Sequence, residues 1–363
     1  MIAGDMLSRG VRQGIITAEQ AARLQTLTAT NNPLDPPPSP DDEHIRFIGG
    51  FGDIFVTIGI AMFAGASTYL ISLAGGLIGA CAWGMLIAWL LAEFFTRRRR
   101  MALPSIVLLV MFTVATFAFF AITADGVLSA VLKGPRFIIS SGTIEETFAL
   151  ASIRAVALIV AALLTSLAVA LHYRRFRVPI TLAAGCAVMV TALWGLAVDI
   201  FPPDSPALAI ILFICGLIIF AIAMRFDMSD PARLTRKTDI AFWLHLLAAP
   251  MIVHSLIGGY TNVTDLTPVA AGAILLVFMV IGFVAVLIDR RALLVSGLTY
   301  AGIAFATLIQ ATGFSGITLP ATLVALGSFI LLLSAGWRSL RKTIIAVAPA
   351  SLARRLPATQ DAP

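Results

Sequence analysis

The chain has 363 residues, of which 59% are hydrophobic and only 12% charged, with a mean hydropathy of +0.97. A soluble domain carries roughly 25% charged residues, and no soluble fold of this length could bury runs of about 20 apolar residues recurring along most of the chain. The net charge of +6 and pI of about 9.7 point to an anionic lipid surface and away from nucleic acid, because no basic groove with interleaved aromatics accompanies them.

Residues 1–32 read as a small helical segment without the apolar core or cleavage site of a signal peptide. Thr17-Ala18-Glu19-Gln20 has the pattern of a capping box, with Thr17 as N-cap and Gln20 reaching back. Residues 33–50 form a proline-rich linker and membrane lead-in, since Asn31 to Pro40 cannot sustain a helix. The apolar runs of 51–336 predict an all-α transmembrane bundle of about ten spans. They lie near 51–71, 74–95, 102–124, 152–172, 178–199, 206–224, 240–259, 268–288, 293–312 and 317–336. The turn between the first two is tight, so their merger is the weakest point in the count. The outer segment 125–151 reads as an interfacial helix followed by a capping box from Thr143 to Glu146, with a re-entrant segment as the alternative. Residues 337–363 read as a basic amphipathic tail, a broken surface helix on an anionic leaflet.

Basic residues set the orientation. Of the 25 lysines and arginines, 22 fall in one alternate set of gaps, and only Lys133, Arg136 and Arg154 fall in the other. The positive-inside rule then places both termini in the cytoplasm of a multi-pass bacterial inner-membrane protein. Its expected partners are membrane lipids with anionic headgroups at the cytoplasmic face, with residues 1–40 as a contact for a protein partner.

Ionisable residues inside spans are costly and merit attention one by one. Glu93, Asp125, Asp199 and Asp289 sit near span ends, where water is within reach, and Glu93 precedes Arg97 by one helical turn. Asp53 lies just inside the first span, with Thr57, Ala61, Ala64 and Thr68 within about 80° of it on a small, polar face. Such a face packs against another helix or lines a wet path. In the second span Gly76, Ala80, Gly84, Ala88 and Ala92 recur every four residues, a ladder on which the first two spans would close as a hairpin. The seventh span holds His245 and His254, half a turn out of phase. Asp239, Trp243, Pro250 and His254 share an arc of about 60°, and Pro250 is expected to bend the helix. Two histidines on a bent helix suit a proton relay or substrate path; the plainer alternative is a hydrogen bond from each to a neighbouring helix. Gln310 in the ninth span is an interhelical hydrogen-bonder. Cys81, Cys186 and Cys215 lie in apolar spans as small hydrophobes, with no metal spacing.

No phosphate loop, HExxH pair, GxSxG elbow or Cys/His cluster appears, so no catalytic residue, cofactor or metal is expected. The stretches GIITAEQAARL, DPARLTRKTDIAFWLHLLAAPMIVH, DRRALLVSGLTY and WRSLRKTIIAVAPASLARRLP, about a third of the chain, resemble uncharacterised integral membrane proteins of alphaproteobacterial type. That resemblance implies an integral membrane protein, carries no activity, and adds attention to His245 and His254. The ten spans and the histidine-bearing seventh helix lean toward a transporter-like permease for a small solute or ion. The alternative is a non-catalytic scaffold or envelope-assembly component acting through its cytoplasmic ends.

Overall fold

The computed structural model describes residues 11, 13–15, 17–21, 51–133, 144–230, 233, 235–257, 266–313 and 315–347. The chain divides into two units, Met1–Glu43 with Gln360–Pro363, and His44–Thr359. In the first, Thr17 and Gln20 exchange the reciprocal hydrogen bonds of a capping box. Gln20 Oε1 accepts from Thr17 N–H at 2.9 Å and Thr17 Oγ1 accepts from Gln20 N–H at 3.1 Å. The proline-rich stretch 31–40 and Thr143 lie outside the described residues.

The second unit is an all-α, multi-pass membrane bundle. Among the described residues its helices are α1 Phe51–Ala92, α2 Ala102–Lys133, α3 Ile144–Phe176, α4 Thr181–Ile200, α5 Pro206–Met228, α6 Arg236–Ile257, α7 Pro268–Ile288, α8 Ala292–Ala311 and α9 Thr318–Val347. A π-helical turn, Glu93–Arg98, extends α1. All nine stretches are long and apolar enough to cross a membrane. Sequence marks their starts: Ser205 caps α5 and Thr267 caps α7, each with a proline at the next position. A hydroxyl that accepts an orphan N–H, followed by a residue whose own N–H is missing, is a favoured helix opening.

The first stretch, Phe51–Arg98, is 48 residues long, about 72 Å if straight and more than twice a ~30 Å hydrocarbon core. It is not straight. Gly76 sits at φ 59°, ψ −160°, a conformation nearly restricted to glycine. Trp83 Nε1–H donates to Ser67 Oγ at 2.9 Å, across residues that a straight helix would hold about 24 Å apart. Ile60 and Ala92 share one buried cluster with Leu108. The chain therefore folds back at Gly76 into two arms, 51–75 and 77–98, which makes ten membrane-length arms from nine helical stretches.

This turn alters one expectation. Gly76 is the break and not a rung of the small-residue ladder. The remaining rungs, Ala80, Gly84, Ala88 and Ala92, are buried, and a methyl on Gly84 would stand 3.2 Å from Ala115 on α2. So the Gly84 rung serves the close approach of α2, and the Ala92 rung shares a buried cluster with Ile60 of the first arm and Leu108 of α2.

Two other expectations change at the helix ends. Asp125–Lys133 continues α2 without a break, so this part of the outer segment is not a separate interfacial helix. At the other end α9 runs 30 residues from Thr318 to Val347. Trp337 and Arg341 are 3% and 2% exposed, so the expected surface tail begins as a packed continuation of the last span. An aromatic body and an arginine stem bury as readily as they float, once buried carboxylates stand beside them.

Helix α6 is the most buried of the described membrane-length helices. Half of its apolar window is buried, against a third or less for every other stretch, and it packs on α5, α8 and α4.

Candidate functional site

Charge is buried where four chain segments meet at the arginine-rich end of the bundle. Asp227 lies in the last turn of α5, His245 on α6, Asp289 and Arg290 in the α7–α8 turn, and Trp337 and Arg341 on α9. Arg233 joins them from the α5–α6 loop. The side chains of Asp227, His245, Asp289, Arg290, Arg233 and Arg341 are all 6% exposed or less.

Local sequence explains how these groups come together. Asp230 Oδ2 accepts from Thr235 N–H at 2.8 Å, Thr235 Oγ1–H at 2.6 Å and Thr238 Oγ1–H at 3.0 Å. One carboxylate thus folds the loop and holds the first turn of α6 against the end of α5. At the C-cap of α7, Asp289 takes a left-handed conformation, φ 58° and ψ 51°. Aspartate tolerates that region better than most residues, and the turn delivers Arg290 to the interior.

Asp227 is the hub. It accepts from Arg290 Nε at 3.1 Å and from Arg290 Nη2, while His245 Nε2 stands 2.9 Å from its Oδ2. The guanidinium fork and the carboxylate match in a bidentate pair, the strongest form of this contact. Beside it, Asp289 accepts from Arg233 Nη1 at 2.7 Å and from Trp337 Nε1 at 2.7 Å, with Arg341 Nη1 at 3.9 Å. Arg233 also reaches the carbonyls of Ile288 and Asp289. The Arg291 guanidinium lies over the Trp337 ring, 5.1 Å from its centroid. Burial lowers the Arg233 guanidinium from its ordinary value and Arg290 pushes the same way, while Asp289 and Asp227 pull it back.

The His245 imidazole has a defined preference. A carboxylate only accepts, so its Nε2 carries the hydrogen toward Asp227, a tautomer inferred from the network. Nδ1 is buried and meets no hydrogen-bond partner among the described residues. Phe220 closes one side with its ring 5.2 Å away. A proton on Nδ1 would therefore be buried without an acceptor, and the neutral ring suits this closed arrangement.

The other sequence candidates lie elsewhere. His254 is exposed and its Nδ1 meets Tyr300 Oη of α8, so the two histidines of α6 occupy separate places. Helix α6 runs through Pro250 without a break. Pro250 lies on the exposed face, and its ring leaves the Leu246 carbonyl without its usual helical donor. Asp239 and Trp243 are half-buried on the first turns of α6, and Trp243 stands against Phe242 with ring centroids 5.6 Å apart. Asp53 is buried at the start of α1, and its carbonyl accepts from Thr57 Oγ1 at 2.7 Å. Gln310 is exposed at the end of α8, away from both histidines. The Glu93–Arg97 pair forms at 3.2 Å, and Glu93 is also gripped by Arg175 of α3 at 2.7 and 3.1 Å. Of the residues singled out as site candidates, only His245 belongs to the buried ionic cluster described above.

Sequence reasoning missed Asp227, Arg233, Arg290, Trp337 and Arg341, and treated Asp289 as a span-end carboxylate. Orientation alone accounted for every arginine in those gaps. The missed signal was pairing: Asp227, Asp230 and Asp289 all stand beside arginine-bearing turns on the same side of the membrane. His172 is a further buried imidazole, at 1% exposure, boxed by Trp89, Phe112 and Phe176 with ring centroids 4.5–5.8 Å away. Comparisons with protein-family models, curated proteins and solved structures found no match.

Proposed function

We propose that this chain is a transporter-like permease of the bacterial inner membrane, with both termini in the cytoplasm. In this reading the Asp227–His245–Arg290 cluster latches the cytoplasmic ends of the spans around it. The observation that carries this is the hub itself. A carboxylate, a guanidinium and an imidazole from three separate segments, each no more than 4% exposed, meet at the arginine-rich end of membrane-length helices. Buried ion pairs contribute little net stability over apolar packing, so charge kept inside a membrane protein marks an ion or substrate pathway by default.

The chemistry suits a latch that responds to protons. While the site is closed, His245 is neutral and Arg290 holds Asp227. A proton reaches Nδ1 stably only when water or a substrate acceptor enters beside it, which means that the helix ends have separated. Imidazolium then competes with Arg290 for the same carboxylate. Proton uptake and opening are thereby linked, as a coupled permease requires.

Two measurements test this reading. In a variant lacking the three native cysteines, Arg99→Cys should be protected from a membrane-impermeant maleimide in intact cells, and Asp204→Cys should be labelled; the reverse pattern sinks the orientation. Proteoliposomes should then show saturable, pH-dependent uptake of at least one member of a panel of amino acids, sugars, organic acids and alkali-metal ions. That uptake should be lost in His245→Ala. A wild-type protein, monodisperse and helical, that moves nothing faster than protein-free vesicles removes the transport reading.

A further inference from the structure

A cavity of about 850 Å³ opens between α3, α4 and α5, and none of the residues of the ionic cluster lines it. Its walls are almost wholly apolar, with Leu163, Met189 and Ile218 among them and Cys215 and Ile219 at its base. Along α3 it runs from Ile159 to Tyr173, fourteen residues or about 21 Å. That length accommodates the hydrocarbon of one leaflet, about half of a ~30 Å core.

The two ends of the groove differ in chemistry. At the arginine-rich end lie Tyr173 and Thr181. Thr181 is 1% exposed, and its hydroxyl meets no hydrogen-bond partner among the described residues. Three arginines stand just beyond. Arg174 follows Ala170, which lines the groove, by one helical turn on α3. Arg225 follows Ile218 and Ile222, which also line it, at seven and three residues on α5, so it shares their face. Arg177 occupies the α3–α4 turn in a left-handed conformation, φ 56°. All three are exposed, and no carboxylate among the described residues pairs with them, whereas the neighbouring Arg175 is held by Glu93.

We infer that this groove is a binding site for one anionic phospholipid of the arginine-side leaflet. One acyl chain lies along α3 between α4 and α5, and the phosphate is held by Arg174, Arg177 and Arg225. The apolar walls select hydrocarbon, and the arginine triad selects negative charge at the depth where a headgroup sits. Planar guanidinium groups bind phosphate oxygens bidentately, and three arginines repel the cationic head of a zwitterion, so a phosphodiester with no compensating cation is preferred. The inference does not rest on transport, since a scaffold would present the same groove.

The test is native mass spectrometry of the purified chain, equilibrated in uncharged detergent with equal amounts of phosphatidylglycerol and phosphatidylcholine. Wild type should retain one phosphatidylglycerol in preference to phosphatidylcholine. Arg174→Gln, Arg177→Gln and Arg225→Gln should each weaken that preference roughly fivefold, toward on the order of a hundredfold together. Gly185→Trp, which fills the groove from α4, should reduce retention of both lipids. Leu163→Trp provides a second filling variant on α3 if the first fails to fold. Equal retention of the two lipids by wild type overturns the inference. So does an unchanged preference in the triple variant, or undiminished retention in a folded, groove-filled chain.

Discussion

Removing the Asp227 carboxylate strands a buried cation, and the size of the penalty follows from what is left. Asp227→Ala deletes the acceptor of two Arg290 donors and of His245 Nε2–H. Arg290 stays 1% exposed, and the adjacent carboxylate, Asp289, is already engaged by Arg233 and Trp337. Breaking a buried pair by deleting one partner costs about 3–5 kcal/mol, which lowers the folding constant by a factor of roughly 10² to 10³ or more. Arg290→Met alone should cost a similar amount, because Asp227 then keeps only the neutral His245. The double variant leaves neither charge stranded, so it should recover at least about 2 kcal/mol relative to the sum of the singles. Unfolding free energies in bicelles, by steric trapping or SDS titration, complete the cycle. A cost below about 1 kcal/mol for Asp227→Ala, or additivity within about 0.5 kcal/mol, would refute the reasoning.

Two further predictions concern glycines that backbone geometry requires. Gly76→Ala places a Cβ at φ 59°, ψ −160° and should cost about 1–3 kcal/mol, whereas Gly79→Ala, whose added methyl meets Ile71 at an ordinary 3.7 Å, should change the unfolding midpoint little. Equal effects from the two would mean that the chain does not turn at Gly76. At the α5–α6 contact, a Cβ on Gly216 would stand 2.8 Å from Ile252 Cγ1 and 3.2 Å from the Ile252 backbone nitrogen. Gly216→Ala should therefore cost about 1–3 kcal/mol by overpacking. Gly272→Ala, with nothing within 4 Å, is its control in the same thermal-shift assay, and a Gly216→Ala midpoint no lower than that control contradicts the close approach.

Helix number and class were legible because crossing a membrane demands about twenty apolar residues wherever the chain crosses. A turn inside the first stretch was legible for the same reason, since 48 mostly apolar residues cannot cross once, but it was expected between residues 71 and 74 and not at Gly76. The role of Gly76 was not, because a glycine that turns and a glycine that packs look alike in a four-residue repeat. His245 was legible as a polar residue at depth, yet its partner was not. Asp227 is 18 residues upstream and Arg290 is 45 downstream, and no periodicity within one helix reports a contact made between helices. Pro250 does not interrupt the helix that carries it. Trp337 and Arg341 were misread because composition does not distinguish an amphipathic helix on a lipid surface from one packed against buried carboxylates.

The arginines of this chain serve two requirements that are separable in principle. Orientation asks only for positive charge near span ends, and lysine or arginine in any rotamer satisfies it. The cluster asks for more. Arg290 contacts Asp227 through both Nε and Nη2, and Arg233 contacts a carboxylate and two backbone carbonyls at once. A lysine ammonium is a point charge on a flexible stem and cannot make either set of contacts. Burial separates the two populations within one gap: Arg290 is 1% exposed, while Arg291, the next residue, is exposed with its guanidinium over Trp337. A double-arginine turn thus contains one exposed residue, of which the positive-inside rule asks only its charge, and one that ties α5, α6 and the α7–α8 turn together. The arginine-rich gaps of a polytopic protein therefore hold structural information beyond topology, and it is found by asking which of those arginines has a carboxylate on another span to meet.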